Sequence, residues 1–414
     1  MKIEVSTVKG FEDYLPPVSL KRAAIMDIIK NYYKLYGFLP IETPILEFDE
    51  LMRPDTTTED EAVADRFKLE DRGGRKLGLR YEFTFQLARI FKENPNIRLP
   101  FRRFQIGPVF RDEPLRQGRT RQFIQCDADI IGDSTTNAEA ECLSLVSDIL
   151  KELKINAEIQ VNNRKLLNNI IESVELTDKD NIARELDKLD KIGADNVKAN
   201  LLKYASSNQI VTLFKLIEKD LSFFKENAFD GAEELEELVK KCKLYNLNVK
   251  TNFSMVRGFS YYTGNIFELT VPNKKIVLAG GGRYDKTVGK FSFREIPAVG
   301  ISFSLEAIFG LCEEEIAKLK IPPYIKAIVV SIEKDTDALK LARRLRKSNI
   351  SCITNLGRTV KSLEYANSLE IPYAIFVGEM ELSKDKFKLK DMSSGEEKLL
   401  TEKQLISKLS RTIQ

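Results

Sequence analysis

Apolar and polar positions alternate most cleanly between Phe101 and Gly132, FRRFQIGPVFRDEPLRQGRTRQFIQCDADIIG. Phe104, Ile106 and Val109 mark a first strand that ends on Phe110 and Arg111, and a charged loop holding Pro114 and Gly118 has turn chemistry. In the return strand Ile124, Cys126, Ala128 and Ile130 face one side, while Phe123, Gln125, Asp127 and Asp129 face the other. One face therefore belongs to a core. Fixed amides and carboxylates on the other suit a ligand floor, and equally an ordinary half-solvated sheet.

The same reading places the remaining elements. After an acidic turn, GFEDYLP, a helix over Ser19 to Tyr36 carries Ile25, Ile28, Ile29 and Tyr32 at helical spacing, and Gly37 ends it. PIETPILEF, with Pro44 inside, fits an edge or interface strand. Alternation over Leu77 to Leu87 predicts another strand, with Arg80, Glu82 and Thr84 on one face and Tyr81, Phe83 and Phe85 on the other. An amphipathic helix follows over Asn137 to Leu153. From about 154 to 248 the chain turns charge-rich and helical, as at 179–191 and 232–245, with the mixed signs of solvated faces. Strand-like segments then flank VRGFSYYTG inside Asn252 to Val271. LAGGGRYD, from Leu278 to Asp285, predicts a glycine-rich turn that lets backbone approach a ligand, and it matches no common nucleotide loop. A strand and a helix are expected over Pro297 to Gly310. Beyond the linker Ile321-Pro322-Pro323, strands at 327–332, 351–355 and 373–377 alternate with helices at 335–348 and 360–369, which implies parallel pairing. The expected domains are 1–320, with a helical insertion at about 154–248, and 321–414.

Composition narrows the chemistry. A chain of 414 residues, 43% hydrophobic, can build two or three cores. Its net charge is only +3, so a nucleic-acid partner would need locally segregated charge. The cluster Arg343, Arg344, Arg346 and Lys347 offers either a phosphate contact or a solvated helix face. The polar start MKIEVSTVKG and the lack of any membrane-length apolar run point to a cytoplasmic protein without membrane contact. Cys126, Cys142, Cys242, Cys312 and Cys352 are scattered, with neither a disulfide frame nor a zinc spacing. The chain contains no histidine, which excludes Ser-His-Asp and Cys-His machinery and His-ligated metals. Its chemistry must rest on positioning and charge.

Phe-Arg-Asp-Glu, the basic loop and Arg-x-Arg-Gln-Phe resemble motif 2 of class II aminoacyl-tRNA synthetases, and FIQCDADIIG resembles the histidyl-tRNA synthetase form. VRGFSYYTG resembles a peptide particular to the histidyl enzymes, with Phe259 and Ser260 for the usual Leu and Asp. The first helix with the Pro44 strand is similar to motif 1, the dimer-building element, and the C-terminal pattern to the anticodon-binding domain of the histidyl, glycyl, threonyl and prolyl enzymes. The resemblance covers nearly the whole chain. It implies an α+β fold: an antiparallel-sheet class II catalytic domain with a helical insertion reaching toward the tRNA acceptor stem, plus a C-terminal α/β anticodon-binding domain.

It also implies an activity, histidine–tRNA ligation in a homodimer, with L-histidine, ATP accompanied by Mg2+, and tRNA-His as substrates and partners. By position, Arg111 and Arg257 are the catalytic cations at the α-phosphate. Glu82, Phe83, Thr84 and Gln125 fall in the amino-acid site, with Glu82, Thr84 and Gln125 for the α-ammonium. Tyr261, Tyr262 and Asp129 line an imidazole pocket, where an acid and a phenol suit the two ring nitrogens. Glu113 and Phe123 hold adenine, and Arg119 and Arg121 reach the phosphates. One departure stands out. Motif 3 of the family runs Gly-Leu/Val-Glu-Arg, whereas this chain has Ser304, Leu305, Glu306 and Ala307, without the arginine for the γ-phosphate. The same fold also serves an inactive relative, the regulatory subunit of ATP phosphoribosyltransferase, and a third reading is an RNA-binding module that senses uncharged tRNA. Retained Arg111, Arg257 and Tyr261-Tyr262-Thr263, with the long C-terminus, speak against the inactive relative.

Overall fold

The computed structural model describes residues 5–52, 65–115, 120–257, 261–272, 276–292, 294–319 and 322–410. They form two compact units. The larger runs from Ile25 to Leu319 with the N-terminal residues up to Asp13; the smaller holds the chain beyond it together with Tyr14–Ala24.

The first helix, α1 (Val18–Leu35), belongs to the larger unit from Ile25 onward and leads through Gly37, at φ +75°, into β1 (Leu39–Pro40). A small sheet of β2 (Leu46–Phe48), β3 (Lys68–Glu70) and β4 (Lys76–Leu79) follows, then α2 (Phe85–Glu93). The long hairpin comes next, β5 (Phe101–Phe110) and β6 (Gln122–Ile131), then α3 (Thr136–Glu152) and β7 (Glu158–Asn163). Seven described helices, α4 (Arg164–Ser173) to α10 (Ala232–Leu244), fill the interval before β8 (Val249–Thr251). The unit closes with β9 (Asn265–Val271), β10 (Ile276–Arg283), α11 (Asp285–Val288), β11 (Ala298–Ser304), α12 (Leu305–Leu311) and α13 (Glu313–Lys318).

Eight strands make one sheet in the order β1-β5-β6-β11-β10-β9-β7-β8. Its pairs are antiparallel except β1 with β5 and β7 with β8. The hairpin register sets Arg103 opposite Asp129, Gln105 opposite Asp127 and Gly107 opposite Gln125. On the other side of β6, Gly300, Ser302 and Ser304 face the same three residues. Cys126, Ala128 and Ile130 point away from them into a core shared with Ile25 and Ile29 of α1 and with Leu143, Val146 and Ile149 of α3. Leu166 and Ile170 of α4 and Leu235 and Leu238 of α10 join that core. The stretch expected as an insertion thus contributes β7 to the main sheet before its helices begin.

Two expected elements are corrected. The strand over Leu77 to Leu87 stops at Leu79, and α2 starts at Phe85. Alternation there does not separate inside from outside, because Arg80, Tyr81, Glu82, Phe83 and Thr84 are all buried. The Glu82 carboxylate accepts the backbone N–H groups of Thr84 and Phe85, each at 2.6 Å, and so satisfies donors at the helix start. The glycine-rich segment expected as a turn continues β10 as far as Arg283. A Cβ on Gly281 would collide with the Gly300 carbonyl, and one on Gly282 would lie 2.7 Å from the Asn265 carbonyl. The glycines answer crowding within a sheet.

The smaller unit is a five-stranded sheet built from β12 (Ala327–Ser331), α14 (Asp335–Lys347), β13 (Cys352–Asn355), α15 (Thr359–Ser368), β14 (Tyr373–Val377), α16 (Glu379–Leu382), β15 (Phe387–Asp391), β16 (Glu397–Leu400) and α17 (Glu402–Ser410). The parallel trio β13-β12-β14 is as the sequence pattern implies, and the antiparallel pair β15-β16 extends it. In the basic cluster of α14, Arg344 pairs with Glu402 at 2.7 Å and Arg346 donates to the Cys352 carbonyl at 3.0 Å. All five cysteines are free and buried, and among the described residues no helix is long and apolar enough to cross a membrane.

Candidate active site

The polar face of the large sheet floors a cavity of about 730 Å³. Its residues stand in cross-strand rows. One row runs Gln105, Asp127, Ser302, Gly280, Glu268, Gln160; the next runs Arg103, Asp129, Gly300, Gly282. The glycines make a trough in which charged side chains lie. A Cβ on Gly280 would strike the Arg257 guanidinium, and one on Gly300 would strike the Asp129 carboxylate.

At one end of the trough Asp129 sits 2.7 Å from the fully buried Arg103 and accepts a hydrogen bond from the Tyr284 hydroxyl. Beside it, Asp127 accepts from the Gln125 amide at 2.9 Å. Burial pushes the Asp127 carboxyl up to about 7, with Arg103 opposing the rise and Asp129 adding to it. Burial likewise raises the carboxyls of Asp129 and Glu82. Tyr261 and Tyr262 bond to each other; Tyr261 reaches Thr84 and Tyr262 reaches Arg257. Glu268 holds Arg257 at 2.5 Å. Burial works against the Arg257 charge, but Glu268 and Tyr262 together outweigh it and the guanidinium stays ionised.

At the other end Arg111 is stacked between two rings, 4.4 Å from the Tyr81 centroid and 4.9 Å from that of Phe123. Its Nη2 is 3.5 Å from the Gln125 carbonyl oxygen, and Glu113 accepts from the Tyr81 hydroxyl at 3.0 Å. The altered motif 3 closes this side. The Ser304 hydroxyl accepts the Ala307 N–H at 2.9 Å and so caps α12, while Glu306 accepts the Ile124 N–H at 2.8 Å and ties the helix to β6. Ala307 lines the cavity.

Glu82, Thr84, Arg111, Glu113, Phe123, Gln125, Asp129, Arg257, Tyr261 and Tyr262, all expected from the sequence, line this one cavity. Two expected residues are placed elsewhere. The Phe83 ring is buried against Arg80, and its carbonyl accepts from Arg103 at 3.2 Å. Arg121 packs its stem on Gly10 and pairs with Asp112 at 3.2 Å. Arg119 lies outside the described residues. Sequence reasoning missed Arg103, Asp127, Glu268 and Tyr284. Asp127 shares the alternating face with Gln125 and Asp129, and Arg103 follows from counting the hairpin register, so both had a signal. Tyr284 lies in the LAGGGRYD segment and so had a signal too, whereas Glu268 had none short of the tertiary structure.

An antiparallel sheet whose hairpin carries Arg111 and Glu113, closed by the strand and helix β11–α12, defines the catalytic unit of a class II aminoacyl-tRNA synthetase. The family described as histidyl-tRNA synthetase matches residues 10–308, and the anticodon binding domain matches residues 326–412. The chain belongs to the histidyl-tRNA synthetase family. It is 36% identical over 418 residues to histidine–tRNA ligase 1 of Bacillus cereus, covering 95% of this chain and 97% of that one. The crystal structure of histidyl-tRNA synthetase from Nostoc sp. PCC 7120 superposes with a TM-score of 0.88 at 27% identity, with 100% of each chain covered. A Bacillus halodurans structure described as an ATP phosphoribosyltransferase regulatory subunit/histidyl-tRNA synthetase has a TM-score of 0.73 at 22% identity, covers 91% of this chain and 99% of that one, and shares the fold.

Proposed function

We propose that this protein is a histidine–tRNA ligase. It joins L-histidine and ATP into histidyl-adenylate and pyrophosphate, then transfers the histidyl group to the terminal ribose of tRNA-His. The observation that carries the reading is the convergence of Arg111, Arg257, Gln125, Glu82, Asp129 and the tyrosine pair on one cavity.

In the first step a carboxylate oxygen of histidine attacks the α-phosphorus in line, and the bond to the pyrophosphate oxygen breaks. No proton needs to move, which suits a chain without histidine. Catalysis is then charge neutralisation by fixed cations. Arg111, held between two rings, and Arg257, held by Glu268, are such cations. Glu82 and Gln125 receive the α-ammonium, and Asp129 with Tyr261 and Tyr262 receives the ring. Adenine stacks on the face of Phe123 away from Arg111, next to Glu113. Magnesium arrives bound to ATP; among the described residues no three acidic or cysteine side chains cluster as a metal site.

Exposed Leu39, Ile45, Leu46 and Phe48 around Pro44 support a homodimer built on this segment. Free cysteines throughout fit a reducing, cytoplasmic setting. Sedimentation at micromolar concentration should give a dimer; a fully active monomer would remove that assignment. The catalytic reading is tested with Arg257→Ala. Losing a cation aimed at transition-state charge should lower histidine activation about 10²–10³-fold with the fold retained. Activity within a few-fold of the parent would take Arg257 out of the mechanism.

A further inference from the structure

The charges of the amino-acid pocket do not balance for a neutral ligand ring. Three buried carboxylates share it: Glu82, Asp127 and Asp129. One guanidinium, Arg103, lies among them, and it is paired with Asp129. Arg257 is committed to Glu268 at 2.5 Å, and Arg111 is stacked at the far end. Glu82 is held by two backbone N–H groups. Asp127 takes its hydrogen bonds from neutral donors, the Gln125 amide and the Ser302 hydroxyl.

The groups around Asp127 come from every neighbouring element. Strand β5 presents Arg103 and Gln105, β6 presents Gln125 and Asp129, and β11 presents Ser302. Glu82 comes from the loop before α2 and Tyr33 from α1, while Arg257 lies over Gly280 in the same row. A bound amino acid adds an ammonium, which offsets one carboxylate, and a carboxylate, which Arg111 can meet. One buried negative charge is still left over. Uncompensated charge in a dry site is costly, so a proton or a cation must accompany it.

We infer that the pocket takes its ligand's ring as an imidazolium, and that Asp127 is the specificity-determining residue that selects this charged form. The inference rests on the histidine reading above. In the empty pocket a proton on Asp127 relieves the imbalance. When histidine binds, its ring, with an ordinary pKa near 6.5, takes a proton, from Asp127 below about pH 7 and from solvent above it, and presents two N–H donors to a site rich in acceptors. A neutral ring of the same shape leaves Asp127 to hold its own proton, brings one N–H donor fewer to the acceptors, and binds more weakly.

The absence of histidine from the chain makes the test direct, because every imidazole signal in the spectrum comes from the ligand. Full-length protein is mixed with ring-¹⁵N histidine at pH 8 and observed by NMR. The bound ring should show both nitrogens protonated, whereas free histidine at that pH is neutral. Calorimetry in two buffers of different ionisation enthalpy should report uptake of about one proton, and the dissociation constant should rise roughly tenfold per pH unit above neutrality. Asp127→Asn should bind histidine more weakly, with a neutral ring and a flat pH profile. A neutral ring in the parent protein overturns the inference, with or without proton uptake, and so does a protonated ring in Asp127→Asn. Should that variant not fold, the parent spectrum alone decides. If no histidine binds at any pH, the functional reading falls and takes this inference with it.

Discussion

The Arg257 guanidinium occupies the space where Gly280 would carry a side chain, and Glu268 on the adjacent strand fixes it there at 2.5 Å. A glycine in mid-strand is normally a weakness. Here it is what allows a charged side chain to lie flat on the sheet. The position of the proposed catalytic cation therefore depends on what a neighbouring strand lacks.

Gly280→Ala follows from that relationship. The added methyl group should displace Arg257, lowering histidine activation at least tenfold, while overpacking costs about 1–3 kcal/mol of stability. Activation kinetics and a melting curve on the same preparation check both. An unchanged rate would mean that Arg257 does not act from this place.

Asp129 is both a pocket acid and the partner of a buried arginine, so its two roles must be separated. Asp129→Ala should raise the histidine KM and also destabilise the fold by about 1–3 kcal/mol, because Arg103 loses its direct partner at 2.7 Å and keeps only Asp127 and Glu82 nearby. The double variant Arg103→Met with Asp129→Asn should recover most of the stability and keep the histidine defect. Recovery of the histidine KM in that variant would assign Asp129 to holding the sheet together.

The Ser304 hydroxyl caps α12. Ser304→Ala should cost about 1 kcal/mol in denaturant unfolding, whereas Ser304→Gly should cost only a few tenths. Equal losses would show that the cap contributes nothing to stability.

Asp127 also sets a pH dependence of stability. Its carboxyl is raised from 3.8 to about 7 on folding, chiefly by burial. Between those values the folded protein holds a proton that the unfolded chain has released. Stability from this group is therefore greatest at low pH, falls as pH rises through the interval, and levels off above it, with a slope of at most about 1.4 kcal/mol per pH unit. No protein imidazole titrates across that range, since the chain has none. Asp127→Asn should flatten the melting-temperature profile between pH 5 and 7; a slope equal to the parent's would place the proton elsewhere.

Much of this architecture is legible in the sequence. The return strand β6 shows in clean alternation because Ile124, Cys126, Ala128 and Ile130 all face the core. The C-terminal unit shows because its strands and helices take turns. The failures have local causes. Residues 80–84 alternate like a strand, but both sides of that segment are buried, so its polarity pattern carries no information about exposure. Gly280, Gly281 and Gly282 look like a turn because nothing in one segment reveals that Arg257 and two neighbouring backbones will crowd it. Phe83 and Arg121 were expected in the site from neighbouring motif residues, and their side chains are spent on packing and on Asp112. Arg103 lay two strands of reasoning away, since its role is visible only once the hairpin register sets it opposite Asp129.

Histidine-dependent exchange of pyrophosphate into ATP tests the central claim most directly. The purified full-length protein, given ATP, magnesium and radiolabelled pyrophosphate, should form labelled ATP only when L-histidine is added, and none of the other nineteen amino acids should replace it. No exchange with histidine, or exchange driven by a different amino acid, would contradict the account.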